Sequence, residues 1–390
     1  MEQVNGLING KIIMEDSIEE NKVLIFKDKI IDIIDKEEIN KYKNINLIDV
    51  NGKYISPGFI DIHIHGAGGS DTMDRSIEAI ETIGKTIAKT GTTSFLPTTM
   101  TMDKGSIYKA LDTIRESMNS NMQGAKVLGA HLEGPFINKK YKGAQNPKHV
   151  LKPDYNFVKD YLDVIKVITM APEVDKEFQF IKKIKDYENI VLSIGHSNAT
   201  YEEVMESVNK GITHAAHLFN AMRGMHHREP GVVGAVLKSS IKCELIVDKV
   251  HVHPAIFQLI VDIKGINNIV LITDSMRAGG MKEGIYELGG QKVIVNDNSA
   301  RLEDGTLAGS ILTLNTAIKN MLENTNLTLY EVVQLATLNP AKAIGIDNKK
   351  GSIKIGKDAD ITVFDEDFNV HLTIAEGKIV YEKSPRPPLN

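Results

Sequence analysis

Between residues 58 and 273 the chain alternates short apolar, β-branched runs with longer stretches whose apolar residues recur every three or four positions. The runs at 58–64, 92–97, 126–132, 165–171, 190–195, 212–216, 242–247 and 269–273 read as strands buried on both faces. The stretches at 76–89, 104–122, 176–187, 201–210 and 254–264 read as amphipathic helices, with more helix after Ser310. Eight strands with interleaved helices predict an α/β fold, a TIM-like (β/α)8 barrel. Outside that segment the period changes. In Lys22-Val-Leu-Ile-Phe26, Lys29-Ile-Ile-Asp-Ile-Ile34, Asp360-Ile-Thr-Val-Phe364, Val370-His-Leu-Thr-Ile374 and Lys378-Ile-Val-Tyr381 the pattern is that of short strands, and Glu376-Gly377 has the form of a tight hairpin turn. Neither end can bury a face alone. The two are expected to close into one small β-sandwich domain made of residues 1–54 and 356–390, around a barrel of residues 55–355. The final Pro385-Arg-Pro-Pro-Leu-Asn390 is expected to be an extended or disordered tail.

The composition is that of an ordinary globular chain: 390 residues, 42% hydrophobic and 25% charged, with a formal net charge of −5. That charge provides no basic footprint for nucleic acid and no reason to expect a membrane as partner. With no apolar leader and no run long enough to span a bilayer, a cytoplasmic location is expected. The single cysteine, Cys243, excludes an intramolecular disulfide and a thiolate cage for a metal. Any metal site must therefore draw on His, Asp and Glu.

Those residue types gather at strand ends. His63 and His65 stand two apart in Gly58-Phe-Ile-Asp-Ile-His-Ile-His-Gly66, so on a strand both face one side. Ala130-His-Leu-Glu-Gly-Pro135 offers His131 and Glu133 after the third strand, Ser193-Ile-Gly-His-Ser197 offers His196 after the fifth, and His214-Ala-Ala-His217 stands at the sixth. The eighth ends in Thr273-Asp274. Any one of these has a plain packing explanation, and His214 reads better as a packed histidine than as a ligand. Five strand ends of one barrel all supplying metal-ligand side chains point to a metal centre at its mouth. Imidazoles and carboxylates without thiolate suit a divalent Zn, Fe, Mn or Co ion. Four imidazoles and two carboxylates exceed the needs of one catalytic ion, and two ions are expected: His63, His65 and Asp274 on one, His196 and His217 on the other, Glu133 between them. A single ion with the first His pair as bystander is the alternative.

The strings PGFIDIHIHG, HLEGPF, GHSNA, HLFNAM, REPGVVGAV, ITDSMRAGG and LAGS make the chain resemble, over essentially its whole length, the amidohydrolase superfamily and within it the N-acetylglucosamine-6-phosphate deacetylases. The resemblance implies metal-dependent hydrolysis of the acetamide of N-acetylglucosamine 6-phosphate, with a small amino-sugar phosphate as partner and a homodimeric assembly. It implies that a water acidified by the ions is the nucleophile and that Asp274 is the general base and then the acid. It also implies a phosphate pocket of Arg228 and His251, Arg228 reaching across a dimer interface, and a sugar site of Ala144, Gln145, Asn220, Ala221, Leu307, Ala308 and Gly309. Arg suits phosphate through its planar fork of donors. In Lys142-Gly-Ala-Gln-Asn-Pro147 the chain has Gln145 where the family often has histidine, so any part it plays in polarising the acetyl carbonyl must be a neutral one. The alternatives are the galacto epimer of the same substrate, a dihydropyrimidinase-like or aminoacylase-like hydrolase, and a non-enzymatic sugar-phosphate sensor.

Overall fold

A computed structural model describes residues 4–383; the segment expected to form the tail lies outside the described residues. Eight parallel strands follow one another: β1 (Phe59–Ile64), β2 (Thr92–Pro97), β3 (Lys126–Val127, resuming at Ala130–Glu133), β4 (Ile165–Met170), β5 (Val191–Ile194), β6 (His214–Ala215), β7 (Lys242–Leu245) and β8 (Ile269–Leu271). They are arranged as a three-stranded sheet, β1 to the first part of β3, and a six-stranded sheet, the second part of β3 to β8. Backbone bonds span both seams: Thr99 N donates to His131 O at 2.9 Å, and Asp274 N donates to His63 O at 2.9 Å. The interruption of β3 falls at Gly129, whose φ is 150° and where a Cβ would lie 2.6 Å from Val164 O.

Helices Ile77–Ala88, Lys104–Asn119 and Tyr201–Lys210 fill the crossovers and turn their apolar stripes inward, as their spacing requires. Two boundaries move. The helix expected from residue 176 begins properly at Gln179, because Glu177 and Phe178 are left-handed and the Asp175 carboxylate accepts Phe180 N (3.1 Å) and Ile181 N (2.9 Å). The helix expected at 254–264 opens with a 3₁₀ turn, Pro254–Ile256, before Phe257–Lys264. A helix at Gly231–Lys238 and a three-stranded antiparallel insertion, Gly284–Leu288, Gln291–Asn296 and Ser299–Leu302, were not expected from the pattern. The insertion does carry a period of two, burying Leu288, Val293, Val295 and Ala300 while Ile285 and Ile294 face solvent. Its first turn, Gly289-Gly290, has both φ values positive (57° and 80°), the geometry that matches strand twist in a two-residue hairpin.

The chain ends meet in two sheets. One runs Ile30–Asp35, Lys22–Phe26, Asn5–Ile8, Asn46–Asp49; the other runs Lys378–Glu382, Val370–Ala375, Ile361–Phe364, Tyr54–Pro57, Lys11–Ile13, Ile18–Glu19. Leu7, Leu24 and Phe26 from the first pack with Ile12, Ile55, Ile361, Val363, Leu372 and Ile374 from the second, so the alternating apolar residues of both ends share one sandwich core. Glu376 and Gly377, at φ 47° and 78°, make the hairpin turn expected of them.

Where the chain leaves the barrel for the sandwich, buried Lys350 donates to Asp360 Oδ2 at 2.7 Å and lies 3.2 Å from Asp358 Oδ2 and 3.5 Å from Glu376 Oε1. Removing one partner of a buried pair strands the other charge. Lys350→Met is expected to destabilise the protein by about 3–5 kcal/mol, read from the shift in urea midpoint at unchanged slope; a shift within a few tenths of the wild type would refute it.

Candidate metal centre and substrate cavity

The mouth of the barrel is built from side chains that strand periodicity turns inward. On β1 and just beyond it, Asp61, His63 and His65 alternate on one side, and all three are buried. Asp61 accepts the Thr273 hydroxyl at 2.6 Å and His63 N at 3.2 Å, tying β1 to the end of β8. Burial outweighs those bonds and pushes its carboxyl up to about 7. His196, His217 and Asp274 follow their strands in left-handed conformation, at φ 50°, 29° and 47°. Each such non-glycine residue costs about 1 kcal/mol or more, and the sharp turn re-aims a side chain that would otherwise follow the strand. Gly309 (φ 62°) lets the chain pass Asp274: a Cβ there would lie 2.9 Å from Asp274 O.

Glu133 is the meeting point. Its Oε1 lies 3.0 Å from His196 Nε2, 3.0 Å from His217 Nε2 and 3.3 Å from His63 Nε2, and its Oε2 lies 3.3 Å from His65 Nε2. Asp274 Oδ1 completes the group, 3.2 Å from His65 Nε2 and 3.8 Å from His63 Nε2. The far nitrogens of the four rings fix their tautomers. Nδ1 of His63 faces Glu244 Oε2 (2.8 Å), that of His65 faces Thr98 O (3.2 Å), that of His196 faces Tyr141 O (3.0 Å), and that of His217 faces Asn220 O (3.2 Å). Every one of these partners is an acceptor, so each Nδ1 carries a hydrogen and each Nε2 presents its lone pair to a carboxylate. Lone pairs facing one another need a proton or a cation between them. His63 Nε2 in particular is fully buried and has no hydrogen-bond partner. The donor set therefore fits a divalent cation, and His63, His65 and Asp274 bring ligand atoms within 4.8 Å of one another, as do His63, Glu133 and His217.

The electrostatics agree. Burial opposes charge on the imidazoles, yet Glu244 and Glu133 raise His63 well above its ordinary range, and bonds to Asp274 and Glu133 raise His65 to about 10. Burial likewise opposes ionisation of Glu133, and the imidazoles of His196 and His63 overcome it and hold the carboxyl well below its usual value. His131 is different. Its Nδ1 bonds Ile62 O (2.9 Å), its Nε2 bonds the Thr169 hydroxyl (2.7 Å), and burial drops it to about 3, so it is a neutral packing residue with no nitrogen left for a metal.

Glu244 on β7 did not emerge from the sequence reading, although a lone glutamate in the apolar run Lys242-Cys-Glu-Leu-Ile246 is a signal. Fully buried, it holds His63 Nδ1, accepts His217 N at 3.3 Å, and stands 3.3 Å from His214 Nε2 without hydrogen-bond geometry. His214 thus packs behind the site rather than in it. Burial would protonate Glu244, but His63 and His214 keep it ionised.

A cavity of about 380 Å³ opens from these groups. Of the residues expected to bind substrate, Ala144, Gln145, Asn220 and Ala221 line it, as do His251, Leu307 and Gly309. Ala308 is buried behind the wall, and Arg228 lies outside the cavity on an exposed loop, Nη1 against His227 Nε2 at 2.6 Å. Glu229 pairs with Arg223 and not with Arg228. Gln145 is held by Thr101 N, which donates to its Oε1 (2.6 Å), so its amide hydrogens turn to Glu133 Oε2 (2.6 Å). His251 is held by Asp248 at 2.6 Å. Arg301, from the unexpected insertion, also lines the cavity.

Residues 54–380 match the amidohydrolase family. The N-acetylglucosamine-6-phosphate deacetylase of Bacillus subtilis (strain 168) is 44% identical over 83% of this chain and 84% of its own. The N-acetylgalactosamine-6-phosphate deacetylase of Escherichia coli O157:H7 is 35% identical over 86% and 90%. The crystal structure of N-acetylglucosamine-6-phosphate deacetylase from Pasteurella multocida superposes with a TM-score of 0.90 at 34% identity, covering 96% of this chain and 99% of the other. Among the described residues no helix is long and apolar enough to cross a membrane.

Partners that orient a ligating histidine typically contribute ten- to hundredfold to metal affinity. Glu244→Gln is expected to weaken metal retention by roughly that factor, measured as metal per subunit after equilibration with a competing chelator; retention equal to wild type would refute the role.

Proposed function

The chain belongs to the amidohydrolase family, and we propose that it hydrolyses the acetamide of N-acetylglucosamine 6-phosphate to glucosamine 6-phosphate and acetate. The observation that carries this reading is the convergence of four imidazole Nε2 atoms on Glu133, with Asp274 beside them, at the head of a cavity large enough for a sugar phosphate. The similarity to deacetylases of this specificity supports the substrate. Bound divalent metal, as one or two Zn, Fe, Mn or Co ions, supplies a Lewis acid for the amide carbonyl and acidifies a water. His63, His65 and Asp274 would hold one ion, His196 and His217 a second, with Glu133 shared.

The remaining chemistry belongs to the protein. Asp274 stays ionised: burial opposes this, but the bond to His65 and the neighbouring imidazoles hold its carboxyl below the usual range. It accepts a proton from the attacking water and delivers it to the departing nitrogen, which leaves as an amine only when protonated. Gln145, its orientation fixed by Thr101, donates to Glu133 and keeps that carboxylate placed. Asn220, Ala221, Leu307 and Gly309 shape the wall around the sugar. His251 and, from a neighbouring copy in a homodimer, Arg228 would meet the phosphate. A cytoplasmic setting belongs to the same reading.

Asp274→Asn is expected to lower kcat by about 10²–10⁴ with KM little changed, since it removes the proton carrier and weakens one metal contact while leaving the sugar and phosphate contacts in place; near-normal turnover would reject the assignment. Acetate release from N-acetylglucosamine 6-phosphate should vanish on chelation and return with added metal, and chelator-resistant turnover would reject the metal centre. Similarity to the galactosamine-specific relative makes the epimer the second reading, and a higher kcat/KM on the galacto sugar in parallel assays would select it.

A further inference from the structure

An anionic substrate entering this cavity meets Glu133 and Asp274 at one end, so a cation is needed elsewhere on the wall. Among the residues lining the cavity, Arg301 is the only lysine or arginine. It sits on the last strand of the antiparallel insertion, half-buried, and its protein bonds go to neutral oxygens: Nε to Ser299 Oγ (3.3 Å) and Nη1 to Gly305 O (2.9 Å). A guanidinium carries five N–H groups in a fixed fork, so Nη2 is left without a protein acceptor among the described residues.

The backbone around it ties this cation to the reaction centre. Arg301 bridges Leu307 in antiparallel register, and Leu302 N donates to Thr306 O at 2.9 Å, closing the turn between them. From Leu307 the chain runs through Ala308 and Gly309 to Ser310, whose N donates to Asp274 O at 2.7 Å. That stretch is short and bends at Gly309 (φ 62°), so the strand carrying Arg301 is tied through a few residues to the backbone of Asp274. Arg228, by contrast, does not line the cavity of its own subunit.

We propose that Arg301 is a further substrate-binding residue, one that meets the phosphate from inside its own subunit, on the same wall as His251 and in addition to the Arg228 of a neighbouring copy. This rests on the proposed deacetylase reading. A planar fork with a free amino edge gives charge-assisted hydrogen bonds to phosphate oxygens, which lysine replaces only in part.

The test is steady-state kinetics of wild type, Arg301→Gln and Arg301→Lys on N-acetylglucosamine 6-phosphate and on N-acetylglucosamine, with inorganic phosphate as inhibitor. For Arg301→Gln the ratio of kcat/KM between phosphorylated and plain sugar is expected to fall roughly tenfold to hundredfold, the range of a bond to a charged group, mostly through KM. The inhibition constant for phosphate should rise in parallel, and Arg301→Lys should recover part of both. An unchanged ratio, or equal losses on the two sugars from a disturbed turn at residues 302–306, would overturn the proposal while leaving the deacetylase reading intact. A wild type that turns over both sugars alike would overturn the two together.

Discussion

The carboxylate of Glu133 faces four imidazole lone pairs, and the architecture of the barrel mouth follows from that. No neutral arrangement satisfies such a group of acceptors, so the site requires cations or protons to exist. The rings cannot turn away, because each is held from behind by Glu244, Thr98 O, Tyr141 O or Asn220 O. Three of these anchors are backbone carbonyls of barrel-mouth loops. Loop conformation and the orientation of these rings are consequently one constraint, and a shift in any of those loops would rotate an imidazole.

Holding this constellation demands a rigid frame. Strands and helices from all around the barrel share one continuous apolar core, and His63, His131 and Glu244 are among the fully buried polar side chains at its mouth. The left-handed backbone at His196, His217 and Asp274 is tolerated because strand pairing on either side over-determines it. The sandwich formed by the chain ends adds a second core against the barrel and fixes both termini of the barrel segment, with Lys350, Asp358 and Asp360 at the junction.

Charge is arranged with similar economy. Carboxylates and imidazoles concentrate at one end of the cavity, while the insertion after β8 brings Arg301 to the wall and Gln291 to Ala144 O on the facing loop. The insertion thus joins two loops that line the cavity. A net charge of −5 offers a sugar phosphate no long-range attraction, so recognition must be local.

Much of this was legible in the residues. The eight β-branched runs give the barrel because a strand buried on both faces has few other sequences available to it, and the period of two sets His63 with His65 and His131 with Glu133. The split sandwich was readable because an alternating strand pair cannot bury its face alone. The insertion was missed although Gly289-Gly290 and the alternation at 291–295 signalled it, because it interrupts the regular order of strand and helix. Glu244 was missed because a single charged residue in an apolar strand has no meaning until its neighbours are known. What the sequence by itself determined was which side chains are candidates for metal chemistry and which local period each element follows, because both are properties of a residue and its near neighbours. The tertiary structure alone decided that Glu244 stands behind His63, that His131 spends both nitrogens on the protein, that Arg228 lies off the cavity and that Arg301 lies on it. Those relations join residues far apart in the chain, and only closure of the strands brings them within hydrogen-bond distance.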